Sequence, residues 1–193
     1  MRVGVLASGS GTNLQALLDD PAIDVVAVAS DKPEARALER AAAAGVETGV
    51  FARADFPDRE ARDTAMASWL SERGVELVVS AGYMALLTGA FLERFPQRVV
   101  NVHPSLLPAF PGLRAIEQAI AYGAKVTGVT VHFLDEGVDT GAVILQRAIP
   151  IETDDPDELH AALRPLEHEL LPAAVRAIAE GRVAIAGRTV TVR

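Results

Sequence analysis

The sequence predicts an α/β fold of Rossmann-like type: a mostly parallel twisted sheet with helices on both faces and an antiparallel pair at one edge. Three observations lead there. Short runs rich in Val, Ile and Leu lack the alternation of a half-exposed strand, so they read as strands buried on both faces. Stretches with apolar residues at helical spacing separate these runs, the rhythm of a parallel sheet. Beyond residue 112 the rhythm changes, and two longer strand-like runs follow one another across a polar, Gly-containing loop.

Taken in order, the runs 2–7, 24–30, 46–51, 76–81 and 98–102 are the expected parallel strands. The helix after the first opens at a Thr12-x-x-Gln15 capping spacing. The helix after the second opens at Asp31-x-x-Glu34, with Pro33 early and Gly45 where a left-handed stop belongs. In the third helical stretch Ala61, Ala65, Met66, Trp69 and Leu70 recur at helical spacing and are expected to face inward. Runs 126–133 and 142–151 supply the antiparallel pair. A last helix covers 156–181, where Pro165 and Pro172 are expected to kink or divide it, and a Gly-Arg hairpin around Gly187 closes the chain. With no repeat, low-complexity tract or linker in 193 residues, the expectation is a single domain over 1–193.

Composition narrows the partners. Half of the residues are hydrophobic, yet no apolar run approaches the roughly 20 residues of a membrane span. The N-terminal apolar run meets Gly-Ser-Gly too soon for a signal peptide. The absence of cysteine removes disulfides, thiol nucleophiles and thiolate metal sites, and a reducing cytoplasm is the natural location. A net charge of −8, with Lys32 and Lys125 the only lysines, works against nucleic acid as a partner. A phosphate would have to be held by Arg side chains, backbone amides or a helix N-terminus.

Four groups of residues carry chemistry. Ser8-Gly9-Ser10-Gly11-Thr12-Asn13 follows the first strand and opens a helix, a place where backbone amides cradle an anion, although an ordinary tight turn has the same look. A dinucleotide fingerprint would need a third Gly where Leu14 stands, and the P-loop pattern is missing its Gly-Lys-Ser/Thr. Asn101 and His103 close a β-branched run, alternation puts them on one face, and Pro104, Pro108 and Pro111 make a stiff loop beyond them. Asp135-Glu136-Gly137-Val138-Asp139 lies between the two later strands. A carboxylate there beside His103 would hold its tautomer and favour its charged form, and His132 is a candidate to support the same pocket. A 2-His-1-carboxylate metal site from His103, His132 and Asp139 is the competing use of these residues, but no metal is expected. The fourth group, Arg164 with Glu167-His168, reads from composition alone as a solvated helix face.

The segments 8–13, 80–87, 101–112, 127–133 and 138–146, read as S-G-S-G-T-N, S-A-G-Y-M-A-L-L, N-V-H-P-S-L-L-P-A-F-P-G, T-G-V-T-V-H-F and V-D-T-G-A-V-I-L-Q, together resemble the folate-dependent phosphoribosylglycinamide formyltransferases of purine synthesis. The resemblance implies transfer of a formyl group from 10-formyltetrahydrofolate to glycinamide ribonucleotide at Asn101, His103 and Asp139, without a metal. It implies that Gly11, Thr12 and Asn13 hold the ribonucleotide phosphate and that Arg164 and Glu167 contact the same substrate. It places the folate against Arg59, Met84, Ala85, Leu86, Leu87, Asn101, Asp135, Glu136, Gly137, Val138 and Asp139, and a cis peptide at Leu107-Pro108. A homodimer is compatible with it. Ala85 and Arg114 depart from the family pattern, where Arg and His are frequent.

Other readings predict different behaviour. A formyltetrahydrofolate hydrolase would use a similar trio with water as acceptor, but those enzymes carry an extra N-terminal regulatory domain and this chain starts at the first strand. A methionyl-tRNA formyltransferase would need a C-terminal RNA-binding domain and less acidic charge. A nucleotide-binding module would bind without turnover, and an NAD-dependent oxidoreductase would need the missing fingerprint.

Overall fold

A computed structural model of the chain describes residues 1–193. The elements in chain order are β1 (Arg2–Leu6), α1 (Thr12–Leu18), β2 (Asp24–Ser30), α2 (Arg36–Ala43), β3 (Glu47–Val50), α3 (Arg59–Glu72), β4 (Leu77–Ser80), α4 (Gly89–Arg94) and β5 (Val99–His103), followed by α5 (Ala115–Tyr122), β6 (Val126–Phe133), β7 (Val143–Pro150), α6 (Pro156–Ala179), β8 (Val183–Ala186) and β9 (Thr189–Val192). The strand order β3-β2-β1-β4-β5-β6-β7 makes one seven-stranded sheet, and β8 pairs with β9 separately. The expected mostly parallel sheet with an antiparallel edge pair is therefore present. Along the chain two compact units are distinguished, Met1–Asn101 and Val102–Arg193.

In the first unit β1 pairs parallel with β2 and with β4, and β3 and β5 extend the array on either side. All four residues of β4 and the last four of β1 are buried, which is why their sequences show no alternation. Leu14 and Leu17 of α1 and Ala37 and Ala41 of α2 supply the buried helix faces.

Three local expectations are corrected here. No side chain caps α1; its N-cap is Gly11 at φ 70°, and the Gln15 amide donates to Asp19 at 2.8 Å. Helix α2 starts only at Arg36, after N-cap Ala35, so Asp31 is not its cap; the Asp31 carboxylate instead accepts from the Ser8 hydroxyl at 2.6 Å. Gly45 does adopt the left-handed stop, at φ 72°. In α3, Met66 and Leu70 are buried as expected, but Ala61, Ala65 and Trp69 are only half-buried, and Arg62, Asp63 and Ala67 fill the inner face instead. Trp69 lies edge-on to Phe51 and carries the Arg73 guanidinium 3.9 Å above its ring, an amphipathic cover.

The inward turn of α3 is possible because its two charges satisfy each other. Arg62 donates through Nε and Nη2 to Asp63 Oδ1 at 2.9 and 2.7 Å, and Asp63 Oδ2 accepts the Thr88 N–H at 2.8 Å. A buried charge is tolerated only when paired and hydrogen-bonded in this way.

The second unit contains the antiparallel β6–β7 ladder, which pairs Thr130 with Gln146 and has an irregularity between Val131 and His132. Helix α6 runs through Pro165 and Pro172 without being divided by them. Leu159, Leu163, Glu167, Leu170, Leu171 and Val175 give it a long buried stripe, and packing of that stripe offsets the backbone bonds that proline removes. Asp155 caps it by accepting from the N–H groups of Asp157 and Glu158. The hairpin of β8 and β9 turns through Gly187 at φ 60°, as expected. Helix α4 falls in the expected alternation without an individual signal of its own, and α5 was not anticipated. No helix is long and apolar enough to cross a membrane.

Replacing Asp63 by Ala will leave the Arg62 guanidinium buried without a counter-charge. The expected loss is about 3–5 kcal/mol of unfolding free energy, measured by urea denaturation against the unaltered protein.

Candidate active site

Strand β5 ends in Val-Val-Asn-Val-His, so Asn101 and His103 leave the same side of the strand, with buried Val100 and Val102 on the other. His103 is buried, and its Nε2 lies 2.9 Å from the carbonyl oxygen of Phe110. A carbonyl only accepts, so Nε2 carries a proton and Nδ1 is the nitrogen left to face Asp139 Oδ2, at 3.3 Å.

The loop that brings Phe110 there is held at several points. Ser105 donates its hydroxyl to Ala109 O at 2.5 Å, the Leu107 N–H donates to Thr130 Oγ1 at 3.1 Å, and the Thr130 hydroxyl donates to Ser105 O at 2.6 Å. Gln146 Nε2 donates to both Leu107 O and Thr130 Oγ1, at 2.8 and 2.9 Å. The Leu107-Pro108 peptide is cis, as the resemblance implied. Phe110 sits at φ 51°, a left-handed conformation that a bulky residue adopts only when its surroundings impose it.

Asp139 has the same unusual backbone, at φ 53°. Its Oδ2 accepts the Gly112 N–H at 2.7 Å as well as facing His103, and its Oδ1 faces His132 Nε2 at 3.5 Å. His132 is fully buried, and its Nδ1 donates to Phe133 O at 2.9 Å, which again leaves the other nitrogen for the carboxylate. Burial by itself disfavours the charged carboxylate. The bond with His132, the Gly112 N–H and the proximity of both imidazoles outweigh it and hold Asp139 below the ordinary carboxylate value. Each ring spends one nitrogen on a carbonyl and the other on Asp139, and no group of three or more His, Cys, Asp or Glu side chains is arranged to hold a metal ion.

In the first unit, Gly11 is crowded: a Cβ there would lie 2.7 Å from Ala37 Cα. Only glycine permits this approach and the positive φ together. Gly11 is buried and Thr12 and Asn13 half-buried, while Arg40 donates to Ser10 O at 2.9 Å and braces the turn. Met84 and Leu86 are exposed, Ala85 and Leu87 half-buried, and Arg59 at the start of α3 is exposed. In the second unit, Asp135 to Val138 are exposed, with Asp135 Oδ1 accepting from the Thr140 hydroxyl and the Gly137 N–H. On α6 Arg164 is exposed and Glu167 buried; burial lowers the affinity of His168 for a proton, and its Nε2 has no hydrogen-bond partner.

The structure thus brings together His103, His132 and Asp139. Sequence reasoning missed the groups that orient them: the Phe110 carbonyl, the Gly112 N–H, Ser105, Thr130 and Gln146. One signal was present, since Thr130 stands two residues before His132 and so shares its strand face.

Comparisons with known proteins identify the family. Residues 1–175 match the family described as formyl transferase. A phosphoribosylglycinamide formyltransferase of Mycobacterium tuberculosis is 46% identical over 98% of this chain and 90% of its own length. The trifunctional purine biosynthetic protein adenosine-3 of Drosophila melanogaster is 44% identical over 95% of this chain, which corresponds to 14% of that longer protein. The crystal structure of glycinamide ribonucleotide transformylase 1 from Symbiobacterium toebii superimposes with a TM-score of 0.96 at 49% identity, covering 100% of this chain and 93% of that one. From its first strand into its last long helix, this chain belongs to the formyl transferase family, in the branch of the phosphoribosylglycinamide formyltransferases.

Proposed function

We propose that this protein transfers the formyl group of 10-formyltetrahydrofolate to the amine of glycinamide ribonucleotide, a step of purine synthesis in the cytoplasm, with no metal. The observation that carries the reading is His103 facing Asp139 at 3.3 Å at the end of a strand that presents Asn101 two residues earlier. The family match runs through the division at residues 101 and 102, which supports one formyltransferase domain over 1–193.

The amine attacks the formyl carbon, a C–N bond forms and the formyl oxygen takes on negative charge. Asn101 and the charged form of His103 donate hydrogen bonds to that oxygen, each worth about 2.7–4 kcal/mol when tested by removal. At rest the His103 Nε2–H is already committed to a carbonyl oxygen, that of Phe110, so donation to the formyl oxygen exchanges one carbonyl acceptor for another. Collapse of the tetrahedral intermediate breaks the bond to the folate nitrogen. Asp139, supported by His132 and acting through water, passes the proton released by the attacking amine to that nitrogen.

On the family resemblance, the backbone of Gly11, Thr12 and Asn13 holds the phosphate, and Arg164 and Glu167 contact the ribonucleotide, with Glu167 near its amine. Arg59, Met84 to Leu87, Asn101 and Asp135 to Asp139 contact the folate. The exposed apolar side chains of Met84 and Leu86 suit a flat aromatic ligand.

Turnover of the formyl donor by the purified protein is expected to require glycinamide ribonucleotide and to survive a chelator. Turnover without the ribonucleotide would make the protein a hydrolase, and no turnover would overturn the enzymatic reading.

Asp139→Asn is expected to lower kcat by about 10²- to 10⁴-fold while calorimetric binding of the ribonucleotide is retained. An unchanged kcat would remove Asp139 from the chemistry.

The same residue makes a pH prediction. A carboxyl whose folded value is depressed contributes stability that is complete above its unfolded value, near 3.8, and is lost as pH falls through the lower folded value. Acid denaturation of the unaltered protein is therefore expected to steepen below that point, and Asp139→Asn to lack that component.

A further inference from the structure

The segment 82–88 has no regular secondary structure, yet its backbone is held by side chains from elsewhere in the first unit. The Met84 N–H donates to Ser8 Oγ at 2.9 Å, and the Thr88 N–H donates to Asp63 Oδ2 at 2.8 Å. Ser8 is buried, and its hydroxyl proton is directed away from Met84 into Asp31 Oδ1 at 2.6 Å, which leaves a lone pair for the Met84 amide. The Ser8 N–H also donates to Gly82 O at 3.1 Å, so this one residue grips the segment through backbone and side chain together.

We propose that Ser8 is a positioning residue for the folate rather than a ligand of the phosphate: Asp31 aims its hydroxyl, and the hydroxyl sets the backbone of Met84 to Leu87. The inference rests on the folate contacts proposed above for that segment. Its physical basis is that the first Ser of Ser-Gly-Ser-Gly-Thr-Asn has both hydroxyl functions already engaged, one in donating to Asp31 and one in accepting from Met84. An oxygen so occupied is a poor anion ligand, whereas removing it strands a backbone N–H at the edge of an exposed binding segment. Asp31 reaches the Met84 amide through the Ser8 hydroxyl, and its charge also bears on Arg62 and Tyr83. Its side chain is half-buried and lies outside the loop it governs.

Ser8→Ala, Asp31→Ala and the double variant test this by steady-state kinetics for both substrates and by calorimetry with tetrahydrofolate alone. Ser8→Ala is expected to raise the folate KM and the tetrahydrofolate Kd by about tenfold, with kcat at saturation and the ribonucleotide KM within about twofold. Asp31→Ala is expected to move the same two quantities in the same direction by less, and the double variant to be no worse than Ser8→Ala, because a residue acting through another adds nothing once that other is gone. A raised ribonucleotide KM with folate binding intact would make Ser8 a phosphate ligand and overturn the inference. So would additive losses, or no change in folate binding. Calorimetry keeps this separable from the reaction itself: an unaltered protein that binds tetrahydrofolate but shows no ribonucleotide-dependent turnover would defeat the transferase reading, and the Ser8 effect on Kd would still decide the positioning role. Failure of the unaltered protein to bind tetrahydrofolate would overturn both.

Discussion

The carboxylate of Asp139 is the contact on which the second unit's candidate site depends. Three groups meet it: the Gly112 N–H, the imidazole of His103 and the imidazole of His132. Two stretches of chain therefore converge on the oxygens of this residue in the turn before β7: the end of β5 with its following loop, and the end of β6. A conformation of this kind, with Phe110 and Asp139 both at positive φ, costs of order 1–3 kcal/mol per residue and persists only where neighbours over-determine it. The bonds around Asp139 do so.

Backbone carbonyls settle which proton each histidine carries. Phe110 O takes Nε2–H of His103 and Phe133 O takes Nδ1–H of His132, so different nitrogens of the two rings are turned to the same carboxylate. A proton on either facing nitrogen makes that ring an imidazolium in contact with Asp139. Thr130 and Gln146, paired across β6 and β7, tie the loop that carries Phe110 to the sheet, and they do it with side chains because a proline-rich loop has few N–H groups to offer.

Much of this was legible in the sequence, for identifiable reasons. Strands β1 and β4 announced themselves because burial on both faces leaves an unbroken apolar run, and β6 and β7 because the run doubled in length without a helix between. Asn101, His103 and Asp139 stood out because polar groups at strand ends beside prolines and glycines are hard to explain as packing. The orienting groups were not legible, since the Phe110 carbonyl and the Gly112 amide belong to the backbone and no residue type advertises them. The inward face of α3 was misjudged for a related reason: Arg62 and Asp63 look solvent-bound until one sees that each answers the other's charge and that Thr88 answers the rest.

The two capping motifs fail in an instructive way. Thr12-x-x-Gln15 and Asp31-x-x-Glu34 both have the spacing that satisfies helix N-terminal amides, and neither is used for that. A capping bond is worth about 1 kcal/mol, and so is a hydrogen bond to any other partner within reach. Local spacing therefore decides only when no tertiary acceptor or donor competes. Asp31 has a competitor, the Ser8 hydroxyl at 2.6 Å, and Gln15 has Arg40 and Asp19. Once Asp31 is drawn to Ser8, the chain through Pro33 stays irregular and α2 begins only at Arg36, with Ala37 donating its N–H to Gly9 O and pressing against Gly11. The late start of that helix and the tightness of the Gly11 turn thus go together with a side chain that takes its partner beyond its own segment.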